Sequence, residues 1–274
     1  MPRSRKRWLI AAGLLAGSYL GLCLVARLYY PAVLFPAPPI GHPPPREGIT
    51  TVDIEHGGGE KTLALYAPPP EGGRVVVVFH GNGESVFDEL YLADWLHEQG
   101  MGAMLVEYRG YGGTKGPTSE KKIYEDAEAS LRWLRERGID RERVTLWGFS
   151  LGSGVAVEMA KRGYGARIVL LAPYTSIVDI GKRFVPFLPV RLLLTDTFDT
   201  IDKCKDVRVP TLVIHGERDE LVPVTMGERV ASAIAGAELI VVKAGTHVDL
   251  LVDVPTHEPS QAVVFARIAT FLRR

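Results

Sequence analysis

The run Gly148-Phe149-Ser150-Leu151-Gly152 holds a serine between glycines two residues to either side. A serine hydroxyl is a poor nucleophile near neutral pH. It needs a base beside it, and the base needs a partner that fixes its orientation. Downstream candidates follow in chain order: Asp219 in His215-Gly216-Glu217-Arg218-Asp219, then His247 in Ala244-Gly245-Thr246-His247. The chemistry such a set performs is acyl transfer, with Ser150 attacking a carbonyl, His247 moving the proton and Asp219 holding the imidazole. Glu217 and Glu220 flank Asp219 as rival acids, and His257 is the rival base. His215 at a strand end reads as a core histidine, and His42, His56 and His97 have no supporting context. Two backbone N–H groups are expected to receive the developing oxyanion. One is that of Leu151, after the serine; the other lies in His80-Gly81-Asn82-Gly83, where Asn82 is the expected donor.

The elements around these residues alternate. Strand-like runs are expected at 51–55, 62–67, 75–80, 103–108, 144–149, 168–172, 211–215 and 239–242. Helical periodicity covers 84–99, 120–137, 153–162, 224–235 and 260–272. Two early strands followed by repeated strand–helix units imply an α/β fold with a mostly parallel central sheet of about eight strands and helices on both faces. Each candidate then stands just past the carboxyl end of a strand, where active groups of open α/β sheets collect. Residues 174–206 break the rhythm with apolar runs punctuated by proline, such as Phe184-Val185-Pro186-Phe187-Leu188-Pro189, and read as a small lid. A long packed connection is the simpler alternative.

At 274 residues, 46% hydrophobic and 23% charged, the chain suits one α/β domain of 49–274 behind an N-terminal extension. Formal net charge is zero and the body has no long basic stretch, which argues against nucleic acid as a partner. Cys23 and Cys204 are too few for a disulfide framework and have no metal-ligand spacing, so neither a metal nor a cofactor is expected. Arg3, Arg5, Lys6 and Arg7 precede an uncharged apolar run over 8–25, long enough to span a bilayer. Trp8 and Tyr29-Tyr30 suit its two interfaces. Residues 1–30 therefore read as an uncleaved membrane anchor, with the basic end cytoplasmic and the domain on the other side. Export after signal-peptide cleavage is the alternative. The proline-rich 31–48 reads as a stiff linker.

The whole set of motifs resembles the α/β-hydrolase superfamily, and within it the membrane-anchored Bem46-like group related to α/β-hydrolase-domain-13 and -17 type proteins. The resemblance is carried by His80-Gly81-Asn82-Gly83, Tyr108-Arg109-Gly110-Tyr111-Gly112, Gly116-Pro117-Thr118-Ser119-Glu120, Gly148-Phe149-Ser150-Leu151-Gly152, His215-Gly216-Glu217-Arg218-Asp219 and Gly245-Thr246-His247. It implies a triad of Ser150, Asp219 and His247; such a triad reads as an esterase or thioesterase on a small-molecule acyl substrate, and the apolar 174–206 with the membrane tether points to a lipid-like one. Amide cleavage and a non-catalytic binding module on the same scaffold are the alternatives. Tyr108–Gly112 is assigned to structure, not chemistry.

Overall fold

The computed structural model describes residues 3–38, 46–56, 59–252 and 255–274. An N-terminal helix α1 (Arg3–Leu34) leads into β1 (Thr50–Glu55), β2 (Lys61–Ala67), β3 (Val75–Phe79), α2 (Leu90–Glu98), β4 (Gly102–Val106), α3 (Glu120–Glu136), β5 (Val144–Phe149), α4 (Leu151–Lys161) and β6 (Arg167–Leu171). Three short helices follow, α5 (Ile177–Phe184), α6 (Val190–Leu193) and α7 (Thr200–Cys204). Then come β7 (Thr211–Gly216), α8 (Val224–Ala233), β8 (Glu238–Val242) and α9 (Gln261–Arg273).

Eight strands form one sheet in the order β1-β2-β4-β3-β5-β6-β7-β8. β2 runs antiparallel to both its neighbours, and every pairing from β4 through β8 is parallel. The five residues of β3 are all valine or phenylalanine and all buried, because a central parallel strand is covered on both faces. Val75, Val77 and Phe79 point into a core shared with α3, α4 and α8, while Val76 and Val78 face the opposite layer with α2 and α9. Each such side chain contributes about 1.5–3 kcal/mol by leaving water. The parallel order puts the carboxyl ends of β3, β5, β7 and β8 on one edge, so residues 80–83, 150–151, 219 and 247 emerge together.

Two expectations need correction. The helix read from residue 84 starts at Leu90. Side chains bind backbone donors around residue 84 in a turn geometry: Gly81 N–H donates to Glu84, Ser85 N–H to Asp88 and Val86 N–H to Glu107. These local bonds compete with helix formation. The second correction concerns the linker over 31–48. Helix α1 includes Pro31 and runs to Leu34, and Phe35 N–H closes onto the Pro31 carbonyl. Proline removes one donor but is tolerated this close to the helix end. Phe35 is then buried against Phe198, ring centroids 6.3 Å apart. The start of the expected linker is thus packed into the domain. Its residues 39–45, and His42 with them, lie outside the described residues.

Residues 174–206 cross the carboxyl edge of the sheet. Ser176 caps α5, its hydroxyl accepting the Asp179 N–H at 3.0 Å, as N-cap serines do. The segment is tied down at its far end by α3: Glu120 N–H donates to Asp196, and Phe198 N–H donates to Glu120. The Gly116–Glu120 motif thereby has a structural explanation. Thr118 donates to the Arg109 carbonyl, Ser119 caps α3 and Glu120 fastens the 174–206 segment.

Candidate active site

Ser150 sits at the turn between β5 and α4 with φ 48° and ψ −115°. This is a conformation that a side-chain-bearing residue adopts only when its surroundings enforce it. Ser150 N–H donates to the Leu171 carbonyl at 2.9 Å, which pins the turn to β6. Both flanking glycines are required by close approach. A Cβ on Gly152 would collide with the Phe79 carbonyl of β3, and one on Gly148 would collide with the backbone of Gly152.

The hydroxyl of Ser150 is 3.0 Å from His247 Nε2, and His247 Nδ1 is 2.7 Å from Asp219 Oδ2. A carboxylate only accepts, so Nδ1–H donates to Asp219 and the Nε2 lone pair is left to accept from Ser150. The structure thus brings Ser150, His247 and Asp219 into one chain of hydrogen bonds. Phe149 stacks beside the imidazole, centroids 5.3 Å apart. Asp219 Oδ1 accepts the N–H groups of Leu221 and Val222 at 3.0 and 2.7 Å. Burial alone would raise this carboxyl, but the nearby His215 ring, the hydrogen bond and charge of His247 and the Val222 N–H outweigh it and hold it far below the ordinary carboxylate range. It therefore stays ionised.

The rivals are elsewhere. Glu217 and Glu220 are exposed, and Glu217 accepts the Ala244 N–H at the base of the His247 loop. His257 is buried near Asp249, 3.5 Å away. His215 is the core histidine expected; its Nε2–H donates to the Val222 carbonyl, and the ring lies 3.4 Å from Asp219. It braces the acid from behind.

Leu151 is the first residue of α4, where a backbone N–H has no acceptor within the helix. Both Leu151 and Asn82 line the same cleft as Ser150. The loop carrying Asn82 is held by a set of buried side chains that follow β3 and β4. His80 is fully buried, with Nδ1–H donating to the Gly81 carbonyl at 2.8 Å and Nε2 2.9 Å from Glu107. Burial disfavours the imidazolium, yet the hydrogen bond and charge of Glu107, together with the Gly81 carbonyl, raise the His80 pKa. Tyr108 donates to the His80 carbonyl and Tyr111 to the Asn82 side chain, at 3.0 and 2.8 Å. The Tyr-Arg-Gly-Tyr-Gly run therefore orients the loop without touching Ser150. Its Arg109 is spent on Asp126, Glu60 and Glu125.

A second, acidic cleft of about 390 Å³ lies on the other side of His247 and includes Glu84, Asp88 and Glu89. Burial, with the Glu84 charge adding to it, pushes Glu89 up to about 7. The fold thus prefers the protonated acid, whereas the unfolded chain ionises near its ordinary value of about 4.3. Stability is lost as pH rises between those two values, and the full cost is present above them. Glu89→Gln is expected to stabilise the protein by about 1–3 kcal/mol at pH 8 and to leave it unchanged at pH 4. Thermal unfolding of both proteins at the two pH values checks this.

Residues 70–195 match the family described as serine aminopeptidase, S33. The chain is 40% identical over 155 residues to an uncharacterized protein of Mycobacterium tuberculosis, covering 56% of this chain and 55% of that protein. It is 36% identical over 122 residues to human alpha/beta hydrolase domain-containing protein 17B, covering 44% of this chain and 41% of the human protein. The aligned region thus spans about half the length of these curated relatives. Among solved structures, the Pyrococcus furiosus esterase Pf2001 superposes with a TM-score of 0.69 at 20% identity, over 87% of this chain and 97% of that one. The ferulic-acid-bound Est1E of Butyrivibrio proteoclasticus gives 0.66 at 17%, over 81% and 97%. At such identities the superpositions speak for the fold. The chain has the α/β-hydrolase fold, and over about half its length it is similar to the domain-17 proteins.

Proposed function

We propose that this protein is a serine hydrolase that cleaves an acyl ester or thioester through an acyl-enzyme on Ser150. His247 Nε2 takes the Ser150 proton as Oγ attacks the carbonyl carbon. The tetrahedral oxyanion is received by the N–H groups of Leu151 and Asn82. Collapse expels the alcohol or thiol, protonated by the same imidazolium. A water deprotonated by His247 then attacks the acyl-enzyme and releases the acid and free Ser150. Asp219 keeps the imidazole in the tautomer this needs and stabilises its charge.

The observation that carries the reading is the unbroken line from Ser150 Oγ through His247 to an ionised Asp219, at the mouth of an apolar cleft. A cleft of about 480 Å³ falls within the range for small-molecule sites. Amide cleavage is the second reading, favoured by the description of the matching family. Residues 1–30 are proposed as an anchor, with the domain on the non-cytoplasmic side; the helix is long and apolar enough to cross a bilayer. The test is hydrolysis of p-nitrophenyl butyrate beside an amino-acid p-nitroanilide. Turnover of the ester, with nitrophenol released first in a burst equal to the enzyme concentration, supports the acyl-enzyme. Preference for the anilide would favour the amide reading, and inertness to both would leave a binding module.

A further inference from the structure

We infer that helix α1 is one wall of the acyl site, so that the substrate's acyl chain is held in the bilayer and enters sideways between α1 and the lid. The inference rests on the hydrolase reading above. The cleft that reaches Ser150 is roofed by α5 and α6 and closed on its far side by Ala26, Tyr29, Val33 and Leu34 of α1. An anchor that merely tethered the domain would leave the substrate cleft to the domain's own residues. Val33 lines the cleft and is still 77% exposed, so the wall is one side chain thick and open along α1.

Height along α1 gives the cleft a position in the membrane. The uncharged run from Trp8 to Ala26 is bounded by Arg7 and Arg27, and at 1.5 Å per residue it is about 28 Å long, close to the hydrocarbon thickness. Arg27, Tyr29 and Tyr30 then lie at the interface. There Tyr30 makes a polar contact, its hydroxyl donating to Asp196 at 2.8 Å. Tyr19 lies about 12 Å below Arg27 along the helix, and its hydroxyl donates to the Phe187 carbonyl at 2.9 Å. The lid turn is therefore drawn below the headgroups.

Its surface suits that depth. Phe187 is 62% and Leu192 83% exposed, beside an exposed Phe184. The charges interleaved with them are Lys182, Arg183 and Arg191, with no acid between Asp179 and Asp196. Exposed aromatic and leucine side chains with basic neighbours are the composition of a surface that sits in a bilayer interface. The same face that touches lipid thus opens onto Ser150. A chain arriving from the acyl layer needs no transfer through water.

The test uses the full chain in vesicles of dioleoylphosphatidylcholine with one fifth dioleoylphosphatidylglycerol. Ala26→Trp fills the α1 side of the cleft; Leu14→Trp places the same ring on the lipid side of the same helix. Substrates are p-nitrophenyl butyrate in the water, a palmitoyl glycerolipid in the vesicle and an S-palmitoylated peptide bound to it. Ala26→Trp is expected to slow turnover of any palmitoyl substrate the wild type uses by tenfold or more. Butyrate hydrolysis should fall at least fivefold less than palmitoyl turnover, fluorophosphonate labelling should still occur, and Leu14→Trp should alter none of these. Which palmitoyl substrate is consumed identifies the acyl source. Equal effects of the two tryptophans, loss of labelling in Ala26→Trp and in a second wall variant, Val33→Trp, or turnover of butyrate but of neither palmitoyl substrate would overturn the inference and leave the hydrolase reading standing. Inertness to every ester would overturn both.

Discussion

Ser150→Ala is expected to lower ester kcat/KM by about 10⁴-fold or more, with thermal unfolding within a few degrees of wild type. The two halves of that expectation come from different features. Removing Oγ removes the atom that attacks the carbonyl, and the remaining oxyanion donors account for only the residual rate. The turn itself does not depend on the hydroxyl. It is fixed by the Ser150 N–H to Leu171, by Gly148 and Gly152, and by α4 starting at Leu151. Alanine can occupy the same φ as serine at similar strain. Steady-state hydrolysis of p-nitrophenyl butyrate, with a melting curve on the same preparation, checks both halves. A large fall in melting temperature would show that the hydroxyl is structural.

Asp219→Asn should cost about 10³- to 10⁴-fold in kcat, the scale set by reversing a histidine tautomer in a serine protease. Here the hydrogen bonds say why. Oδ1 accepts from Leu221 and Val222, so an asparagine keeps its oxygen there and turns its NH₂ toward His247. Nδ1 must then accept, the ring proton moves to Nε2, and Nε2 faces Ser150 as a donor instead of a base. The KM of a short ester should change little, because Asp219 does not line the apolar cleft. The carboxyl also contributes to stability. Its folded pKa is depressed, so its contribution is full above its ordinary value near 3.9 and is lost as pH falls below it. The stability gap between wild type and Asp219→Asn should accordingly narrow in acid. Single-turnover kinetics and unfolding at pH 7 and pH 3.5 measure the two effects.

The parts that could be read from sequence are those encoded locally. Val144–Phe149 followed by a Gly-x-Ser-x-Gly turn encodes a strand, a sharp reversal and a helix within twenty residues, and the reversal demands its glycines at fixed places. Eight strands were legible for the same reason, as short apolar runs between breakers. What stayed hidden depends on partners far apart in the chain. Glu107 ends a strand-like run and carries no mark of its own, yet it holds His80 from 27 positions away. Residues 84–89 continue the periodicity of α2, but the N–H groups of Ser85 and Val86 are claimed by Asp88 and Glu107. Pro31 suggested a break that the helix end absorbs. The apolar run of α1 advertises a membrane span and nothing more. Its contact with the segment after β6 joins Tyr30 to Asp196 across 166 positions.

The central claim is that Ser150 is the nucleophile, and its most direct test is fluorophosphonate labelling of the full chain followed by mapping of the modified peptide. One adduct per chain is expected, on Ser150, absent in Ser150→Ala and formed at least a hundredfold more slowly in His247→Ala. An adduct on a different serine, or a folded protein that takes no label, would contradict it.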